Sequence, residues 1–184
     1  MKFSQLEIKE LIKAWLAISI AFGIVLKGNF GFIQSFILAA LTVGVGFLLH
    51  ELAHKVVAQR YRCWAEFRAF DQMLILAILM SFFGFVLAAP GAVFIRGNIN
   101  NEKNGKISVA GPITNIVLAI LFYGLLQITT GSLGLIASYG LRINSWLALF
   151  NMIPVWNFDG SKIIRWNKIV YAIVVIIALI LMII

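Results

Sequence analysis

The chain has 184 residues, 62% of them hydrophobic and 12% charged, with a formal net charge of +8. A soluble domain is about half apolar and a quarter charged, and a chain this short cannot hide so much apolar surface in a water-soluble core. That excludes a soluble enzyme and a disordered chain, and the single cysteine, Cys63, excludes a disulfide-stapled secreted domain. In so apolar a chain the positive charge predicts cationic loops against an anionic leaflet, with the lipid bilayer and no nucleic acid as partner.

Six apolar stretches follow one another, at 11–26, 33–58, 73–95, 107–126, 141–153 running on toward Gly160, and 169–184. A helix needs about 20 residues to cross roughly 30 Å of hydrocarbon. The first stretch contains Lys13 near its end, where a long side chain snorkels, and no small-residue cleavage site follows it, so it is expected to be a retained anchor. The longest polar stretch is 97–106, which leaves no room for a soluble accessory domain. The expectation is one integral-membrane domain over 1–184, multi-pass and in the cell membrane, its oligomeric state left open.

Seven acidic residues are present, and only Glu51 and Asp159 fall within or at the end of an apolar stretch. The two histidines, His50 and His54, both lie in the second stretch. Ionisable groups at membrane depth are costly and mark function. His50-Glu51-Leu52-Ala53-His54 is an H-E-x-x-H string on an apolar helix, so its imidazoles share one face and can grip one metal ion, with Glu51 beside them as general base. Catalytic zinc takes three protein ligands. With no further histidine, the third is Asp159 or Cys63. Cys63 sits among Arg60, Arg62 and Arg68 at what reads as a solvated boundary, which makes Asp159 the better candidate.

At these residues the chain resembles the site-2 protease family of intramembrane zinc metalloproteases. The motifs are H-E-x-x-H in the second helix; G-P-x-x-N, here Gly111, Pro112 and Asn115, opening the next full crossing; and N-x-x-P-x-x-x-x-D-G, here Asn151, Pro154, Asp159 and Gly160. Phe158 stands where the family usually has Leu. The resemblance covers 33–168. It implies one Zn2+ held by His50, His54 and Asp159, with Glu51 activating water and Asn151 holding the substrate or its oxyanion. It also implies a minimal core acting on transmembrane protein substrates in regulated intramembrane proteolysis. Asn115 is expected to be structural, fixing the helix start after Pro112. Pro154 is expected to break its helix and free the Phe150 carbonyl, with Asn144, Asn151 and Asn157 lining the same stretch.

Sharing one metal also constrains topology. His50 and Asp159 lie at similar depths from the starts of their stretches, so those two segments must run the same way, and one of the two stretches between them must not cross. If 73–95 dips in and returns, Lys2, Lys9, Lys13, Lys55, Arg60, Arg62, Arg68, Arg96, Lys103, Lys106, Lys162, Arg165 and Lys168 share one side, against Lys27 and Arg142 on the other. That arrangement obeys the positive-inside rule. It puts the N-terminus in the cytoplasm and the metal nearer the cytoplasmic face. The fold class is therefore an all-α polytopic membrane protein with about five full crossings and a re-entrant or peripheral segment at 73–95. A short β-ribbon is expected between 92–99 and 105–108, around the Asn104-Gly105 turn signal. The rival functions are a non-enzymatic membrane metal protein, such as a divalent-metal carrier, and an inactive structural relative. Carriers usually distribute ligands along a path, whereas this chain gathers its ionisable groups in one cluster, and the intact Glu51 argues against an inactive relative.

Overall fold

Ser4 caps the first helix by accepting the Glu7 amide, and α1 then runs over Gln5–Phe30 to Gly31, whose φ of 76° is left-handed and turns the chain back. The computed structural model describes residues 2–86 and 90–184. The return leg is α2 (Phe32–Ala39), a π-helical turn (Ala40–Gly44) and α3 (Val45–Arg60), continuous over Phe32–Arg60. The wide turn loosens the backbone ladder, and the Ala40 carbonyl accepts the Trp15 indole N–H at 3.2 Å. Gly44 makes room for that ring, since a Cβ there would lie 2.6 Å from Trp15 Nε1.

After α3 the chain forms β1 (Trp64–Ala69), α4 (Asp71–Ser81) and β2 (Gly91–Arg96). The strands pair antiparallel, from Trp64 opposite Arg96 to Ala69 opposite Gly91. This ribbon corrects the expected one: 91–96 does form a strand, but its partner is 64–69, while 105–108 lies inside the next helix. The signal for β1 was the alternation of Ala65 and Phe67, both buried, with the more exposed Trp64, Glu66 and Arg68.

The outer edge of β1 is covered by α1. The Phe67 amide donates to Glu7 Oε1 at 3.0 Å and the Ala69 amide to Glu10 Oε2 at 3.1 Å. Lys13 continues the zipper to Asp71 at 2.6 Å, where α4 begins. From there α4 runs beside α1 until the Phe82 ring meets Lys27, 5.7 Å from its centroid, and Gly84 at φ 88° turns the chain. Phe70 and Pro90 are joined by a 3.0 Å backbone hydrogen bond, so the excursion begins and ends at one place. This is a re-entrant shape for the 73–95 segment, of which residues 87–89 lie outside the described ones.

Helix α5 (Asn101–Ile128) is joined to α6 (Gly131–Asn151) by a two-residue link. Both start earlier than expected. Asn100 caps α5 through the Lys103 amide, so Pro112 lies inside this helix and not at its start. The sequence 131–140 is rich in Gly and Ser, which masked the first turns of α6. Down α3 from His50 to His54, the α5 partners run from Asn115 back to Ile107, so α3 and α5 are antiparallel. With α5 and α6 also antiparallel, α3 and α6 run the same way, as a shared metal requires. Helix α6 stops at Asn151, the chain turns through 152–158, and Asp159 opens a separate helix, α7 (Asp159–Trp166), before α8 (Lys168–Ile183). The Phe150 carbonyl is not left free by Pro154; it accepts the Ile153 amide at 3.2 Å.

Among the described residues, four helices are long and apolar enough to cross a membrane: Gln5–Gly28, Phe32–Arg60, Asn101–Ile128 and Gly131–Asn151. The expected fifth, α8, has 16 residues, or about 24 Å, and falls short of the full hydrocarbon thickness. Polar residues such as Ser19, Ser35, Asn115, Asn144 and Ser145 are buried, while Ile33, Phe83, Ile128 and Ile183 are among the most exposed. That is the inside-out pattern of an all-α membrane protein facing lipid.

The same-end origin of the two strands gives a labelling test. In a Cys63→Ser background, single cysteines at Arg60 and Asn98 should react with an impermeant thiol reagent from the same face of sealed vesicles, and one at Ser132 only from the other. Opposite accessibility of positions 60 and 98 would mean that 71–90 crosses.

Candidate metal centre

Two helices bring three side chains into one buried cluster. His50 and His54 project from one face of α3, and Asp159 enters from the first residue of α7. Asp159 Oδ2 lies 3.3 Å from His50 Nε2 and 3.1 Å from His54 Nε2. Donor atoms about 2.0–2.2 Å from a tetrahedral zinc sit about 3.3 Å or slightly more from one another; both Asp159–imidazole distances are close to that spacing, and all three ligand atoms lie within 4.8 Å of one another. The other Asp159 oxygen, Oδ1, faces Lys162 Nζ at 3.8 Å, which leaves Oδ2 for the imidazoles.

Both rings are oriented from behind. His50 Nδ1 is 2.6 Å from Asn115 Oδ1, and His54 Nδ1 is 2.8 Å from the Ile107 carbonyl. Each partner accepts only, so each Nδ1 carries the proton and donates it. Each Nε2 then presents a lone pair toward Asp159, the tautomer that a metal-ligating histidine needs. Two lone pairs and a carboxylate converging in a buried space call for a cation.

That space is kept open by a glycine. A Cβ on Gly111 of α5 would lie 2.5 Å from Nε2 of both histidines. Glu51 is buried beside the cluster, and its Oε2 accepts the Val93 amide of β2 at 3.1 Å. In an antiparallel pair neighbouring residues point their amides alternately in and out. Because the Phe67 amide points away from β2, the amide of Val93, its register partner, points away from β1, and it does so toward Glu51.

The Asp-Gly pair is explained by the turn before it. A Cβ on Gly160 would collide with the Met152 carbonyl, so only glycine lets α7 start this close to the end of α6. Ser161 Oγ pins the turn by donating to the carbonyls of Trp156 at 3.0 Å and Phe158 at 2.9 Å.

Of the residues singled out by sequence, His50, His54 and Asp159 meet, with Glu51 adjacent. Cys63 is instead near Gly97 at the far end of the ribbon, in a small apolar cluster with Ala58, Ala65 and Ile107. Asn115 has a role that sequence reasoning missed: it orients the His50 ring. The signal was its place on an apolar helix, where an amide needs a partner. Asn151, in the last turn of α6, donates to the Leu147 carbonyl of its own helix at 2.9 Å.

The chain is 45% identical over 177 residues to MJ0611 of Methanocaldococcus jannaschii, covering 94% of this chain and 91% of that protein. The chain belongs to the site-2 protease-like family of zinc metalloproteases. YwhC of Bacillus subtilis is 30% identical over 68% of this chain and 66% of its own length; like MJ0611 it bears the name of a putative zinc metalloprotease. A second Methanocaldococcus jannaschii protein, zinc metalloprotease MJ0392, is 29% identical over 66% of this chain, which spans 31% of that relative. No family model matches the chain, and no solved structure does. The family's metal is zinc, and the spacing, tautomers and glycine-lined space around His50, His54 and Asp159 fit Zn2+.

Proposed function

We propose that the chain is an intramembrane zinc endopeptidase of the site-2 type, hydrolysing peptide bonds within transmembrane segments of membrane-protein substrates in regulated intramembrane proteolysis. The observation that carries this reading is the set of two tautomer-fixed imidazoles and one carboxylate beside a buried Glu51, with the histidines and Glu51 on a helix of membrane-spanning character. His50, His54 and Asp159 would hold the metal. Zinc, when bound, supplies a Lewis acid that polarises a carbonyl and makes water a nucleophile near neutral pH.

Glu51 then takes the proton of the attacking water and returns it to the departing amide nitrogen. The Val93 amide occupies Oε2 and steadies the carboxylate, which leaves Oε1 to meet the water. Asn151 would turn its amide from the Leu147 carbonyl toward the oxyanion. A substrate helix has to unwind first, because a helical amide is shielded by its own hydrogen bonds. The outer edge of β2 lies against Glu51 and offers an extended segment a strand to pair with. The basic residues near Arg60, Arg96 and Lys168 favour a cell-membrane protein with a cytoplasmic N-terminus and the metal nearer that face. One domain over 1–184 would carry all of this.

The test is cleavage of a panel of single-pass membrane peptides by purified protein, with and without chelator. Glu51→Gln should keep one zinc per chain and lose about 100- to 10,000-fold in turnover, the contribution of a general base. Asn151→Leu should cut turnover more than zinc content. Chelator-insensitive cleavage, or full activity in Glu51→Gln, would overturn the reading. A metal carrier would instead move zinc across vesicles and lose that transport through the histidine variants.

A further inference from the structure

Behind His50 lies a chain of amides that the proposed chemistry does not use. Asn115 Nδ2 donates to the Gly46 carbonyl at 3.2 Å and to Asn144 Oδ1 at 3.0 Å, and Asn144 Nδ2 donates to the Gly140 carbonyl at 2.9 Å. Asn115 and Asn144 are fully buried. Gly46 makes room for the chain, since a Cβ there would collide with Asn144 Oδ1.

We propose that Asn144 is a positioning residue for the zinc ligand His50, acting through Asn115. It rests on His50 being a ligand, and the argument is one of hydrogen-bond direction. A backbone carbonyl can only accept. The Gly140 carbonyl therefore fixes the Asn144 amide with nitrogen toward it and oxygen toward Asn115. That oxygen, together with the Gly46 carbonyl, fixes Asn115 with nitrogen toward both and oxygen toward His50. An amide oxygen facing Nδ1 in turn fixes the proton on Nδ1 and the lone pair on Nε2. Reversing either amide would set oxygen against oxygen at a buried carbonyl, so the chain reads in one direction only. Helices α3, α5 and α6 each contribute a link, so the ring of His50 is held by the packing of all three.

The prediction is read in metal binding on the purified full chain in lipid nanodiscs, by chelator competition for zinc and by the visible spectrum of the cobalt-loaded protein. Loss of an outer partner typically weakens metal binding by about 10- to 100-fold. Asn144→Leu, close in volume and unable to accept, should show that loss and a changed cobalt spectrum. Asn144→Asp, which burial keeps as the neutral acid, donates its O–H to the Gly140 carbonyl and keeps an oxygen toward Asn115, and should stay within a few-fold of the native protein. Ser145→Ala is the control, because Ser145 is equally buried on α6 and its hydroxyl donates only to the Leu141 carbonyl. Should Asn144→Leu fail to fold, Asn144→Ser takes its place; its hydroxyl can bond the Gly140 carbonyl as Ser145 bonds Leu141, but it is too short to reach Asn115. Native zinc affinity in the folded Leu or Ser variant, or an equal loss in Ser145→Ala, would overturn the proposal while leaving the metal centre intact. A native chain that binds no zinc would overturn the metal reading itself.

Discussion

Gly111→Ala is expected to abolish zinc binding while leaving the fold in place. The added Cβ would stand 2.5 Å from Nε2 of both His50 and His54, in the space a metal shared by them would occupy. Neither histidine can retreat, because each ring is held at Nδ1 by a buried acceptor. The loss should exceed the roughly 100-fold that removal of an outer partner costs, and metal analysis after mild purification would measure it. Gly124→Ala is the matched control: it lies on the same helix with open space around it, and it should gain about 0.5–1 kcal/mol of helix stability and keep its zinc. A Gly111→Ala protein with stoichiometric zinc would mean that the metal sits elsewhere.

A second large effect is expected one residue beyond the metal motif. Lys55 Nζ bonds Glu7 Oε2, and both side chains are about 1% exposed. The Phe3 ring covers the ammonium at 4.2 Å, and Glu7 Oε1 also accepts the Phe67 amide. The pair thus ties the start of α1 to α3 beside His54 and to the ribbon. Lys55→Met should cost about 3–5 kcal/mol, because it leaves a carboxylate buried without its counter-charge. Glu7→Gln combined with Lys55→Met should recover most of that, since glutamine keeps an oxygen for the Phe67 amide. Unfolding in detergent followed by circular dichroism would compare the three proteins, and a double variant no more stable than the single one would show that the pair itself stabilises the fold.

The clustering of His50, His54 and Asp159 was legible in the sequence because these residues are rare where they stand. Two histidines and two intramembrane acids in so apolar a chain leave few ways to build a site, and a shared metal then orders the helices that carry them. The ribbon was legible only in part. Strand 91–96 is flanked by turn residues, but its partner 64–69 hides between an arginine-rich loop and an apolar helix, and pairing across a 21-residue excursion leaves no local mark. Helix bounds failed where composition misleads: 131–140 is weakly apolar yet helical, and Pro112 suggested a start in the middle of a helix whose cap lies at Asn100. Asn115 and Asn144 were visible as amides at membrane depth, but which partners they chose depends on three helices packing together.

The π-helical turn at Ala40–Gly44 has a consequence for how this protein tolerates change. It holds one residue more than an α-helix would need between the start of α2 and the metal motif. Each residue of an α-helix rotates the rest of the helix by about 100° and advances it by 1.5 Å. Deleting one residue from 40–44 would therefore let the helix run regularly with His50 and His54 still facing Asp159, whereas deleting one from the regular turns at 45–49 would swing them away by roughly a quarter turn. A single-codon deletion within 40–44 should be mild, whereas one within 45–49 should cost metal binding as fully as loss of a ligand. A graft of this helix onto another scaffold could replace the irregular turn with a regular one shorter by one residue.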